Sequence, residues 1–189
     1  MAWQMAKYEL KSSCAMLVHN GRAANPLDRF AKLMKEVSSK RNKTDADYEL
    51  LARIEFMAGL YMSKDGPIIP AQNIDAMLIN AAKKVKEGTV AKAGVFCLEP
   101  ALMEYDGPRD DEGLWADESF RHVALVRVGT ARVARTRPVF NEWSATVAIN
   151  YEDTVVNIGA IDRWFQIAGT QVGLGDWRPQ WGRFQAKRL

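Results

Sequence analysis

Apolar and polar positions alternate from the start of the chain. Ala6, Tyr8 and Leu10 face Lys7, Glu9 and Lys11, and the alternation runs loosely on to Val18. A period of two predicts a strand with one buried face. "HNGRAANP" interrupts it. The spacing of Leu27, Phe30, Ala31, Met34 and Val37 then predicts a helix, with Asn25 as its cap and Pro26 at its first position. A basic connector, "SSKRNK", leads to a second helix. Thr44 opens it in T-D-A-D, a capping box with Asp47 in the acidic place. Leu50, Leu51, Ile54, Met57, Ala58 and Tyr61 form its stripe. "YMSKDGPIIP" reads as a hairpin turning at Asp65-Gly66, which Pro67 and Pro70 confine to edge or non-ladder positions. A third helix is expected from about Ile74, with Gly88 ending it.

Beyond it, "AGVFCLEP", "ALMEY", "RHVALVRV" and "TARVARTR" read as strands, the last continuing or pairing with the one before it. The clearest strand puts Trp143, Ala145, Val147, Ile149 and Tyr151 on one face and Glu142, Ser144, Thr146, Asn150 and Glu152 on the other, so the sheet has a buried and a wet face. A fourth helix carries Ile161, Trp164, Phe165, Ala168 and Val172 and stops at Gly173; "RFQAKR" is the final strand. The fold class is α+β. The order strand, helical block, strand, strand, helix, strand is the βαββαβ plan of a ferredoxin-like or RRM-like core, with "RHVALVRV" as second strand and residues 25–118 as an enlarged first crossover. By analogy alone, the open face of such a sheet suggests contact with single-stranded nucleic acid.

With 189 residues, 48% hydrophobic and 26% charged, the chain is expected to form one domain over residues 1–189. The net charge of +3 is too small to argue for a polyanionic partner. Its distribution says more. Ser119 to Asn141 holds no acid but holds Arg121, Arg127, Arg132, Arg135 and Arg137, directly after the acidic Glu104–Glu118 stretch. Either the arginines make a basic face, or the acidic loop partly neutralises them. Cys14 and Cys97 lack metal-ligand spacing and read as free thiols. "MAWQMAKYEL" lacks a leader's apolar run, and no segment approaches the ~20 apolar residues of a membrane span. The expectation is a soluble, cytoplasmic protein with no membrane contact.

Chemistry-bearing residues concentrate in "VGLGDWRPQWGRFQ", Val172 to Gln185. It is no dinucleotide loop, because the third glycine is missing and a helix precedes where a strand should. No Walker pattern occurs. No cluster has metal-ligand spacing, and Asp110, Asp111 and Glu112 read as a solvated loop; neither a metal nor a cofactor is expected. His122 lies in a strand and reads as structural. His19, in a glycine-containing turn, is the best available base for metal-independent RNA cleavage, but the sequence gives it no partner. The loop itself offers flexible backbone, Arg178 and Arg183 for phosphates, and Trp177 and Trp181 for stacking on bases. Alternatively the tryptophans pack on the core and Arg178 pairs with Asp176. Arg127, Arg135 and Arg137 share one face if their segment stays extended, with Arg132 between them. His19, Arg22, Lys40, Arg41 and Lys43 are further candidates for nucleic-acid contact.

Two motifs carry a resemblance. The loop reads Gly173-Leu174-Gly175, then "DWRPQW" with Arg178, then Gly182-Arg183-Phe184; Ile69-Pro70-Ala71 leads into the third helix. Together they resemble the glycine-rich loop and Pro-Ile-Pro-like turn of the RAMP superfamily, the RRM-like subunits of CRISPR effector and processing complexes, including short stand-alone relatives encoded by bacteriophages. Phe184 stands where that family has glycine. The resemblance implies binding of single-stranded RNA or an RNA–DNA hybrid, self-association along the strand as a filament, and a bacterial or phage-infected cytoplasm. It transfers no catalytic residue. The leading expectation is a non-catalytic protein that binds single-stranded RNA or DNA. The alternatives are an interaction protein that docks on or mimics a subunit of such a ribonucleoprotein, and a metal-independent endoribonuclease.

Overall fold

A computed structural model describes residues 3–189. Met1 and Ala2, part of the stretch read for a leader, lie outside the described residues. The elements in chain order are β1 (Trp3–Ser12), β2 (Met16–Leu17), a 3-10 turn (Gly21–Ala24), α1 (Arg29–Ser38), α2 (Asp45–Gly59), β3 (Met62–Ser63), β4 (Gly66–Ile69), α3 (Ala71–Lys84), α4 (Gly88–Gly94), β5 (Val95–Phe96) and β6 (Ala101–Glu104). They continue with α5 (Asp111–Ala116), β7 (Arg121–Val128), β8 (Ala131–Phe140), β9 (Ser144–Glu152), α6 (Ile158–Ile167) and β10 (Phe184–Arg188). The class is α+β, and every strand pairing is antiparallel.

The main sheet has the order β10-β1-β9-β6-β4-β3, with β5 also on β9. Period-two patterning turns Ala6, Tyr8 and Leu10 of β1, and Ala145, Val147 and Ile149 of β9, onto one face. There they meet Ile74, Met77, Leu78 and Ala81 of α3 and Ile161, Trp164 and Phe165 of α6 in the principal core. Each fully buried Leu, Ile, Val, Met or Phe among them contributes about 1.5–3 kcal/mol. Two polar clamps hold α6. Tyr8 stacks on Phe165 with ring centroids 3.9 Å apart and donates to Asp162 at 2.7 Å. Glu87, between α3 and α4, accepts from Arg163 at 2.6 Å and from Trp164 Nε1 at 2.6 Å. The opposite face of the sheet is exposed at Lys7, Glu9, Lys11, Thr146 and Lys187, as the alternation predicts. α1 and α2 close a small second core around Phe30, Val37, Ile54 and Ala58.

"RHVALVRV" does not supply the second strand of this sheet. Among the described residues β7 pairs only with β8, and β8 carries β2, making a separate sheet of order β2-β8-β7. β6, inside the stretch expected to be insertion, takes the place on β9. Gly129-Thr130 is the physical reason. With Gly129 at φ +61°, the chain reverses in two residues, and β7 is satisfied by its own hairpin partner. Helix boundaries shift too. Asn25 closes the 3-10 turn through its N–H to Arg22 O; the cap of α1 is Asp28, which accepts from Phe30 N. Gly88 begins α4 rather than ending α3. The Thr44–Asp47 capping box is present in full, and Lys40 donates to Asp47 at 2.6 Å.

Candidate nucleic-acid interface

The glycine-rich loop follows a wide helical turn, Ala168–Val172, at the end of α6. Gly173, Gly175 and Gly182 have φ of +74°, +79° and +73°. Their missing Cβ atoms make room for backbone. A Cβ on Gly182 would stand 1.8 Å from Leu174 O, and one on Gly175 would stand 2.2 Å from Leu17 O. The loop thereby lies flat on the end of β2: Asp176 N donates to Leu17 O at 2.7 Å and Gly182 N to Ala15 O at 2.8 Å. The glycines seat the loop; Arg178 and Arg183 are exposed, whereas Leu174 is buried beneath it. Trp177 holds φ +54°, a conformation that costs an L-residue about 1–2 kcal/mol.

The loop meets the hairpin through His122, whose ring lies edge-on to Trp181 at 4.9 Å and to Trp177 at 5.8 Å. Both tryptophans are half-buried, between the two roles the sequence leaves open. His122 thus packs between the hairpin and the loop.

The arginines separate into two groups. The hairpin register pairs Arg127 with Arg132, Ala124 with Arg135 and His122 with Arg137. Cross-strand partners share a face, and each pair here joins an odd position to an even one. The turn therefore puts Arg127 and Arg132 on one face and Arg135 and Arg137 on the other, against the extended-chain expectation. Arg135 donates to Glu55 at 2.9 Å, and Glu55 also accepts from Thr136 N. Arg137 Nε lies 2.9 Å from Asp176 Oδ2, close but outside hydrogen-bond alignment. Asp176 is thus the partner of Arg137, not of Arg178. Of the acidic stretch, Glu118 pairs with Arg121, while Glu112 and Glu104 pair with Arg53 and Arg109. Arg127, Arg132, Arg178 and Arg183 have no carboxylate partner among the described residues; Arg127 donates to Gly129 O and Arg183 to Pro179 O.

A cleft of about 250 Å³ opens beside the loop. Met16, Val18, Ile69, Met103 and Leu174 line it, together with His19, Tyr61, Asn73, Asp176 and Arg178. Arg137 Nη1 lies 2.9 Å from His19 Nδ1. A guanidinium can only donate, so Nδ1 accepts and the neutral imidazole carries its proton on Nε2. Desolvation, then the Arg137 charge, lowers the His19 pKa. A base working through Nδ1 would have to give up this contact. Arg178 also borders a shallow groove with Lys83 and Lys84 of α3, cations the sequence reading did not single out. Asn73 was missed as well, although the Pro70 break before α3 pointed to its neighbourhood.

The remaining candidates lie in the helical arm. Arg22 pairs with Asp28 at 3.0 Å and stands over Phe30; Lys40 holds Asp47, Lys43 donates to Lys40 O, and Arg41 is exposed. The broad groove on the open sheet face is lined by Glu9, Glu104, Asp106 and Glu142 with Lys11, a lining that repels phosphate. Among the described residues no three His, Cys, Asp or Glu side chains gather as a metal set, and no helix is long and apolar enough to cross a membrane. Compared with known protein families and with curated proteins, the chain matches none of them.

Proposed function

We propose that the protein is a non-catalytic single-stranded nucleic-acid-binding protein, with RNA the favoured strand. Arg127 and Arg132 at the end of the hairpin, and Arg178 and Arg183 in the loop, hold phosphates; Lys83 and Lys84 extend the track; the exposed parts of Trp177 and Trp181 offer stacking surface. One observation carries the reading. Most arginines elsewhere in the fold, such as Arg22, Arg53, Arg135 and Arg163, are matched to carboxylates; apart from Arg29 and Arg41 in the helical arm, the arginines without such a partner among the described residues are these four, gathered on the hairpin end and the loop. Arg127 and Arg132 stand directly opposite each other across the hairpin, a like-charge pair that an anion relieves.

The strand order supports the ferredoxin-like, RRM-like reading of the core. β1 and β6 run parallel with β9 between them, and β9 and β10 run parallel with β1 between them: two split βαβ units, the first with an enlarged helical crossover. That order, with the loop between α6 and β10, also supports kinship with the RAMP superfamily. The acidic open sheet face directs the strand to the hairpin and loop instead.

Val123 and Leu125, 61% and 68% exposed on the face of Arg127, favour a second reading, docking onto a protein such as a ribonucleoprotein subunit or another copy of the chain. Purification without nuclease separates the two. A high 260/280 nm absorbance ratio, with single-stranded RNA recovered on sequencing, supports the first; nucleic-acid-free protein that self-assembles in light scattering supports the second.

A further inference from the structure

We infer that the cleft beside the loop takes a single unstacked nucleobase of the bound strand. This rests on the function proposed above and adds to it a point at which the protein reads a base rather than the backbone.

The size of the cleft comes first. Its volume of about 250 Å³ lies just below the ~300–1,000 Å³ typical of pockets for drug-sized ligands, which leaves room for one flat ring system. Its lining comes second. Met16, Val18, Ile69, Met103 and Leu174 are almost fully buried and form an apolar floor beneath a largely polar rim, a place for a ring face that has left its stack. The polar groups come third. Asn73, in the first turn of α3, lines the cleft, and its amide makes no hydrogen bond among the described residues. An amide offers a donor and an acceptor side by side, the pattern that matches a base edge. His19 adds an Nε2–H donor, because Arg137 occupies Nδ1. Arg178 borders the same cleft without a carboxylate partner, which provides for the phosphate of the nucleotide whose base enters. A free anion alone would leave the apolar lining and the Asn73 amide unused.

Ala76 provides the test. It is exposed on α3 and lines the cleft, so Ala76→Phe fills the space from the solvent side without entering the core. Fluorescence anisotropy compares labelled oligoadenylate RNA with an abasic ribose-phosphate strand of equal length. Wild-type protein is expected to prefer oligoadenylate. Ala76→Phe should weaken oligoadenylate binding roughly tenfold and leave the abasic strand unchanged. Asn73→Ala should do the same to a lesser degree, and both variants should keep the wild-type melting temperature within a few degrees. Equal wild-type affinity for the two strands, or undiminished oligoadenylate binding by Ala76→Phe, would overturn the base site while leaving the phosphate-binding function standing. Failure of the wild type to bind either strand would overturn both.

Discussion

Arg137 of β8 lies 2.9 Å from Asp176 of the glycine-rich loop and, through a second nitrogen, 2.9 Å from His19 Nδ1. One guanidinium therefore joins the hairpin, the loop and the turn after β2. The Arg137 side chain is only 14% exposed and Asp176 27%. Removing the arginine leaves a largely buried carboxylate without its cation. Arg137→Ala is expected to lose about 2–4 kcal/mol, somewhat below a fully buried pair because of the remaining exposure. Urea unfolding measures it, and a loss under 1 kcal/mol would mean that the junction does not depend on this pair.

Desolvation of His19, and after it the Arg137 charge, makes stability depend on pH. The folded-state pKa of His19 is lowered, so between that value and the ordinary 6.5 the unfolded chain binds more protons than the folded one. Stability contributed here is complete above pH 6.5 and falls as pH drops through 6.5 toward the folded pKa. Thermal melts of the wild type and of His19→Gln should diverge only below about pH 6.5, the wild type losing more.

Glycines of the loop and of the 3-10 turn separate backbone need from mere permissiveness. Gly182→Ala forces a Cβ to within 1.8 Å of Leu174 O at positive φ, whereas a Cβ on Gly21 meets nothing within 4 Å. Differential scanning calorimetry should show Gly182→Ala destabilised by about 3 kcal/mol or more and Gly21→Ala within about 0.5 kcal/mol of wild type.

The cap of α2 is a local device. Thr44 accepts from Asp47 N, Asp47 accepts from Thr44 N, and the Asp47 carboxyl is held at about 2, chiefly by Lys40. Thr44→Ala should lower stability by about 0.5–2 kcal/mol in denaturant titration. The Asp47 contribution persists above pH 3.8 and is lost as pH falls from there toward 2.

Features that depend on neighbours in the chain were legible in the sequence: the alternation of β1 and β9, the capping box, the stop at Gly173, and the presence of a hairpin before α3, although it turns at Lys64-Asp65, with Gly66 and Pro67 in the ladder and β4 inside the sheet between β6 and β3. Features set by partners far away in the chain were not. Arg135 and Arg137 looked available because Glu55 and Asp176, their neutralising acids, lie distant in sequence. β7 looked like a core strand because its composition suits either sheet, and only the tight turn at Gly129-Thr130 commits it to β8. The loop glycines suggested approach to a ligand, but they serve approach to β2. Of the candidate site, Trp177, Trp181, Arg178 and Arg183 were readable as one local motif. The cleft with Asn73 was not, since its walls come from β2, β4, β6, α3 and the loop.

The most direct measurement is fluorescence anisotropy of labelled single-stranded RNA titrated with the protein across a salt series. Binding is expected at low salt and should weaken linearly on a log–log plot. Arg127→Ala/Arg132→Ala should lower the magnitude of that slope by about 1.4, as two lost phosphate contacts require, with the melting temperature unchanged. No anisotropy change at low salt, or a double variant with the wild-type slope and affinity, would contradict it.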